Sequence, residues 1–154
     1  MDGVTFRRAA ETDFEAVSGL ARQLASHIEA DIPALTETQY QRFYLAATAP
    51  MLLLLAVADG RVLGMVSWTL THELYSGEAR VYISDLSIDT AARGRGIGKA
   101  LMYEVAAWAR AQGAQKMAWD VWRHNATAQA FYHQLGGRID DEALPYVLSL
   151  GEAP

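Results

Sequence analysis

At 154 residues, half of them hydrophobic and a fifth charged, the chain has the length and balance of one soluble globular domain with a sizeable core. Its formal charge of −5 argues against a general nucleic-acid binder, and the lack of cysteine excludes disulfides, thiolate metal sites and a cysteine nucleophile. No early run is apolar enough for a signal peptide, and the longest greasy stretch, residues 51–58, is too short to cross a bilayer, so a cytoplasmic protein with no membrane partner is expected.

Residues 4–8 alternate as a short strand. Thr12, with Glu15 three residues on, reads as a helix-opening box capped by Thr12, and Phe14, Val17, Leu20, Ala21 and Leu24 follow at helical spacing. A second box, Thr36 with Gln39, opens a helix with Tyr40, Phe43, Tyr44 and Ala47 on one side. Residues 52–58 read as a buried strand, Asp59-Gly60 as a two-residue hairpin turn, and 62 to about 71 as the partner strand. Another strand covers 80–89. A helix over 98–112 turns Leu101, Met102, Val105, Trp108 and Ala109 inward and stops at Gly113. A strand over 116–122 precedes a helix over 125–135, whose apolar stripe is Ala128, Phe131, Tyr132 and Leu135 and whose end is Gly136-Gly137. A last strand is expected over 145–150, with a short one near 138–140. Early hairpins followed by a helical crossover predict one α/β domain over residues 4–150, with a mixed sheet and helices on both faces.

Arg93, Gly94, Arg95, Gly96, Ile97, Gly98 and Lys99 pack three glycines and three cations between a strand and a helix start. Glycines let the backbone approach a ligand closely, and a helix start offers free N–H groups and partial positive charge, so this reads as an anion site, most naturally for a phosphate or pyrophosphate, with a glycine-rich connection carrying solvated arginines as the plain alternative. A P-loop would need glycine at Arg93 and a hydroxyl at Ala100. A dinucleotide fingerprint would need its third glycine at Lys99 or Leu101. Neither fits; the fitting pattern is Arg-x-x-Gly-x-Gly, from Arg93, Gly96 and Gly98.

That pattern resembles the acyl-CoA pyrophosphate loop of the GNAT superfamily of N-acetyltransferases. The strand before it, residues 82–88, and the segment from Trp122 through Asn125, Ala128, Phe131, Tyr132, Leu135 and Gly136 resemble the same family, most closely its diamine acetyltransferase branch. The resemblance covers nearly the whole chain. It implies the GNAT fold, a mixed and mostly antiparallel central sheet of six to seven strands, and direct acetyl transfer from acetyl-CoA to a primary amine of a small substrate, polycationic ones included. It implies no metal and a homodimer.

By resemblance, the backbone of Leu86, Ser87 and Ile88 pairs with the pantetheine arm, the loop amides of residues 93–99 hold the pyrophosphate, Asn125 contacts the coenzyme, and Tyr132 protonates the departing thiolate. Read from the residues alone, Asn125 is equally an N-cap and Tyr132 a packed core tyrosine. Asp85 is the foremost carboxylate for removing the amine's proton, with Asp120, Glu73 and His72 behind it and a structural carboxylate as the plain alternative. The diamine branch carries an acid directly before that position, where this chain has Ser84. Trp68, His72, Glu73 and Tyr75 offer aromatic walls and an anion for a cationic amine, or a core and a dimer surface instead. A non-catalytic coenzyme-binding or regulatory domain and a protein acetyltransferase are the alternatives for the whole chain.

Overall fold

The computed structural model describes residues 3–27, 33–141 and 145–149. Thr5–Arg8 (β1), Leu52–Ala58 (β2), Arg61–His72 (β3), Ala79–Ile88 (β4) and Lys116–Trp119 (β5) form one sheet in that spatial order. The first four strands pair antiparallel, and β5 joins β4 in parallel. The helices are Phe14–His27 (α1), Glu37–Tyr40 (α2, continuing as a π-helical stretch through Gln41–Leu45), Ile97–Ala111 (α3) and Ala126–Gln134 (α4). The chain divides into two compact units, the first ending at Trp122 and the second starting at Arg123. The sheet and α1 to α3 belong to the first unit, α4 to the second.

Local chemistry explains these elements. Asp59 and Gly60 both take positive φ, 49° and 73°, which closes the β2–β3 hairpin with the twist its strands need. Thr36 caps α2 by accepting the Gln39 N–H, and Gln39 returns its side chain to the Thr36 N–H. α3 is the crossover that a parallel β4–β5 pair requires. It ends at Gly113, φ 75°, with the Ala114 N–H reaching back to the Ala109 carbonyl at 2.9 Å.

Directly paired residues share a face of the sheet. One face carries Leu53, Leu55 and Met65 against Val17 and Leu20 of α1 and Tyr40 of α2. The other carries Val66 and Trp68 of β3 with their partners Leu86 and Ile83 of β4. There Trp68 meets Trp108 of α3 edge-on at 5.5 Å between ring centroids. A Cβ on Gly64 would sit 2.6 Å from Ile88 Cδ1 and 3.1 Å from the Ser87 carbonyl oxygen, so the neighbouring strand β4 demands glycine there, while Leu101 Cδ1 of α3 lies at ordinary contact, 3.4 Å.

The start of α1 differs from expectation. A 3-10 turn, Glu11–Asp13, leads into the helix, and the acceptor is Asp13 rather than Thr12. The Asp13 carboxylate accepts the Ala10 N–H at 2.8 Å and the two terminal guanidinium nitrogens of Arg7, at 2.7 and 2.8 Å. A carboxylate can hold the free N–H and a cation together, which a hydroxyl cannot. The Arg7 bond holds the Asp13 carboxyl below its ordinary range against the opposing effect of burial. A depressed folded-state pKa gives stabilisation that is complete above the unfolded value and lost as pH falls through the folded one. Asp13→Asn should therefore cost about 2 kcal/mol at neutral pH and flatten the loss of stability below about pH 4, read by denaturant unfolding across pH.

The described residues contain five strands, not six or seven. Residues 138–140 and 145–149 join no ladder, and Tyr146, Val147 and Leu148 are exposed, while Leu150 lies outside the described residues. Apolar alternation becomes a strand only where a ladder partner is available. β5 likewise ends at Trp119 rather than Trp122, just before Asp120, whose carboxylate accepts the Tyr82 hydroxyl.

Candidate functional site

β4 holds the key irregularity. Ser67 pairs with Asp85 and Trp68 with Ile83, so Ser84 is an extra residue, a β-bulge. Its ladder to β5 stops at Ile83↔Trp119. Beyond that point, residues 85–88 pair with β3 alone among the described residues, leaving a row of backbone groups without a strand partner along Leu86, Ser87 and Ile88, of which the Ile88 carbonyl accepts Arg93 Nε. A bulge bends and twists its strand, which carries this end of β4 out of line with β5. Such an edge can receive a ligand's amides as a further strand would.

The glycine loop follows directly. Asp89 caps a short turn, Thr90–Ala92, by accepting the Ala91 N–H at 3.0 Å. Thr90 donates its N–H and its hydroxyl to Gln23 of α1, both at 3.3 Å, which pins the loop to that helix. Arg93 Nε donates to the Ile88 carbonyl at 3.2 Å, tying the loop back to the end of β4. Gly94 and Gly96 have φ of 74° and 80°, a region costly for other residues. At Gly94 a Cβ would meet nothing, so backbone angle and not space demands glycine there. The first helical bond of α3 runs from the Ala100 N–H to the Gly96 carbonyl at 3.0 Å, so the N–H groups of Ile97, Gly98 and Lys99 precede the ladder and point outward. Arg95 and Lys99 are exposed beside them, and Lys99 leans over the Tyr103 ring. The junction can hold an anion of the diphosphate type.

Asp85 faces the other way from Trp68. With Ser67 it points to the α1 face, where Ser67 Oγ donates to Asp85 Oδ2 at 2.7 Å. The two form the polar end of a cavity of about 190 Å³ between α1 and the sheet, whose walls include Val17, Leu24, Leu53 and Met65. Tyr44 lines the same cavity. Burial, and secondarily the negative charge of Asp85, raise its phenol above the ordinary value. Ser67 and Tyr44 were not singled out from the sequence. Ser67 carries a signal in retrospect, as a hydroxyl amid the buried run from Leu63 to Trp68.

The aromatic set is not brought together there. Trp68 is 2 % exposed, packed on Trp108 with the Arg8 guanidinium 5.5 Å over its ring. His72 lies at the end of β3. Glu73 sits in the β3–β4 turn, in an ion pair with Arg80 at 3.4 Å and accepting Ser76 Oγ at 3.2 Å. Tyr75, bonded to Glu73, is 90 % exposed. Where β4 and β5 part, the Asp120 bond and burial push the Tyr82 phenol up to about 12.

In the second unit Asn125 caps α4, its Oδ1 accepting the Ala128 N–H at 3.0 Å. Tyr132 packs edge-on against Phe131, and burial raises its phenol, keeping it a proton donor at neutral pH. Among the described residues no three acidic, histidine or cysteine side chains gather as a metal site, and no helix is long and apolar enough to cross a membrane.

The model of the acetyltransferase (GNAT) family matches residues 20–137. Among solved structures, a transcriptional regulator from Bacillus halodurans is 26% identical, with TM-score 0.79, covering 94% of this chain and 99% of that one. An integron cassette protein from the mobile metagenome of V. cholerae is 24% identical, with TM-score 0.80, covering 99% and 95%. An aminoglycoside acetyltransferase from an uncultured soil metagenomic sample, solved in complex with sisomicin, is 18% identical, with TM-score 0.79, covering 97% and 98%. The last two likenesses speak to the fold alone. No curated protein matches the sequence closely enough to count as a relative.

Proposed function

Because this chain belongs to the acetyltransferase (GNAT) family, we propose that it transfers an acetyl group from acetyl-CoA directly to a primary amine of a small substrate, both held at once. The observation that carries the reading is the meeting of an open β4 edge with the glycine-led start of α3. Those groups fit the coenzyme's chemistry: outward N–H donors suit a diphosphate, and the open backbone row at Leu86, Ser87 and Ile88 suits an arm that carries amides. When bound, acetyl-CoA supplies the activated acetyl thioester.

The chain's own residues then have two proton tasks. An alkylammonium has a reference pKa of about 10.4, so only about one in a thousand is neutral at pH 7.4. Asp85 takes that proton, directly or through a water, and Ser67 orients the carboxylate. Tyr132 donates to the departing sulfur and is reprotonated from the amine nitrogen. An N–C bond forms, a C–S bond breaks, and of the two protons leaving the ammonium one ends on sulfur and one in solvent. The backbone N–H groups at the open end of β4 stabilise the oxyanion. Asn125, beyond its cap, contacts the coenzyme.

Calorimetry with CoA and a thiol-release assay over amine classes test the reading; CoA binding with turnover of at least one amine is expected, and neither would end it. Gly96→Val forces a β-branched residue to φ 80° at the phosphate end and should weaken CoA binding by about tenfold. Unchanged affinity in that variant would move the phosphate elsewhere.

A further inference from the structure

We infer that the acceptor is an apolar primary monoamine, its ammonium at Asp85 and its hydrocarbon or aryl body in the cavity between α1 and the sheet. The inference rests on the acetyltransferase reading and narrows its substrate.

The cavity has one charged group among its described lining residues, Asp85, at one end. Its Oδ2 already accepts Ser67 Oγ, and a carboxylate has room for further donors. The walls at Val17, Ala21, Leu24, Leu53 and Met65 offer methyl and methylene groups, and the described lining residues include no second anion and no fan of hydroxyl acceptors. A single ammonium therefore finds its counter-charge. A second ammonium on the same molecule would be stripped of water and left among hydrocarbon, where an unpaired charge is strongly disfavoured. Aminoglycosides and polyamines fail on this count, and sugar hydroxyls would also lose their hydrogen bonds to water.

Size points the same way. An apolar cavity of about 150 Å³ accepts benzene. One of about 190 Å³ suits a single ring on a short arm, or a chain of comparable bulk. Tyr44 adds an aromatic wall at the same cavity, suited to a ring or to the cation itself. Position is consistent with transfer, because Asp85 immediately precedes Leu86, the first residue of the open backbone row.

The test compares two amines that differ by one charge. Hexylamine and hexamethylenediamine are titrated calorimetrically into the full chain saturated with CoA, with phenethylamine and sisomicin as further arms. Hexylamine and phenethylamine should bind at least about tenfold more tightly than the diamine or sisomicin. Ala21→Phe, which places a ring in the cavity, and Asp85→Asn should each weaken hexylamine binding by at least about tenfold while CoA affinity holds. Should Ala21→Phe not fold, the matched pair on the wild-type chain decides alone. Equal or tighter binding of the diamine or sisomicin overturns the inference, as does the absence of binding by any of the amines. If CoA binds and a polycation wins, the acetyltransferase reading stands and only the substrate class falls; if CoA itself does not bind, that reading falls first.

Discussion

Replacing Tyr132 with phenylalanine should lower kcat by about 100-fold while CoA affinity stays within about threefold. The substitution removes one oxygen and keeps the ring that packs on Phe131, so α4 and its Asn125 cap should persist. What disappears is the hydroxyl proposed to protonate the sulfur. Burial raises this phenol, which keeps it protonated throughout the neutral range. A raised pKa means the donating form survives to higher pH than an ordinary phenol, about 10, would allow. Any alkaline fall in wild-type kcat owed to this group should therefore lie above about pH 10, and be missing from the residual activity of the variant. Thiol release across pH, paired with calorimetry, measures both. A variant as fast as wild type would assign the donor to another group.

The largest structural effect is expected at Leu101, where truncation to alanine should cost about 3 kcal/mol of unfolding free energy. Leu101 is wholly buried on α3 and faces the close approach at Gly64, where backbone and side chain leave little slack to refill a void. The loss combines hydrocarbon returned to water with the cavity left behind. Since α3 only begins at the loop proposed to hold the diphosphate, the variant should still bind CoA at temperatures where it remains folded, but melt several degrees lower. Chemical denaturation gives the number. A cost under about 1 kcal/mol would mean that α3 does not pack on this face of the sheet.

Much of this architecture is legible in the sequence because local signals and tertiary demands agree. The apolar run of β2, the Asp59-Gly60 turn, the Thr36–Gln39 box and the Gly113 stop each have a local cause and appear within a residue or two of where the sequence places them. Asp13 shows where local reasoning fails: Thr12 makes a good cap in isolation, but Arg7, on a separate strand, selects the carboxylate beside it. The tail shows the opposite failure. Tyr146, Val147 and Leu148 have strand chemistry, yet the described residues supply no partner.

The glycine loop was readable because its requirements, positive φ and a helix start, are written in residue type. The acceptor side was not, because it depends on which way a strand faces. Val81, Ile83, Asp85 and Ser87 look like one alternating set. In the sheet Val81 and Ile83 turn toward α3, while Asp85 and Ser87 turn toward α1. One unpaired residue, Ser84, makes that switch, and nothing in its chemistry announces it. Trp68 and Asp85 therefore end on opposite faces of the sheet.

The extra residue at position 84 also separates the scaffold from the slot it opens. Excising Ser84 would leave every downstream side chain oriented as before, since a bulge adds a step without altering the order that follows it. The backbone, however, would straighten and zip onward alongside its parallel neighbour. Such a shortened chain would keep its core and lose its groove: a well-folded protein without the slot proposed for its coenzyme, made by deleting a single serine.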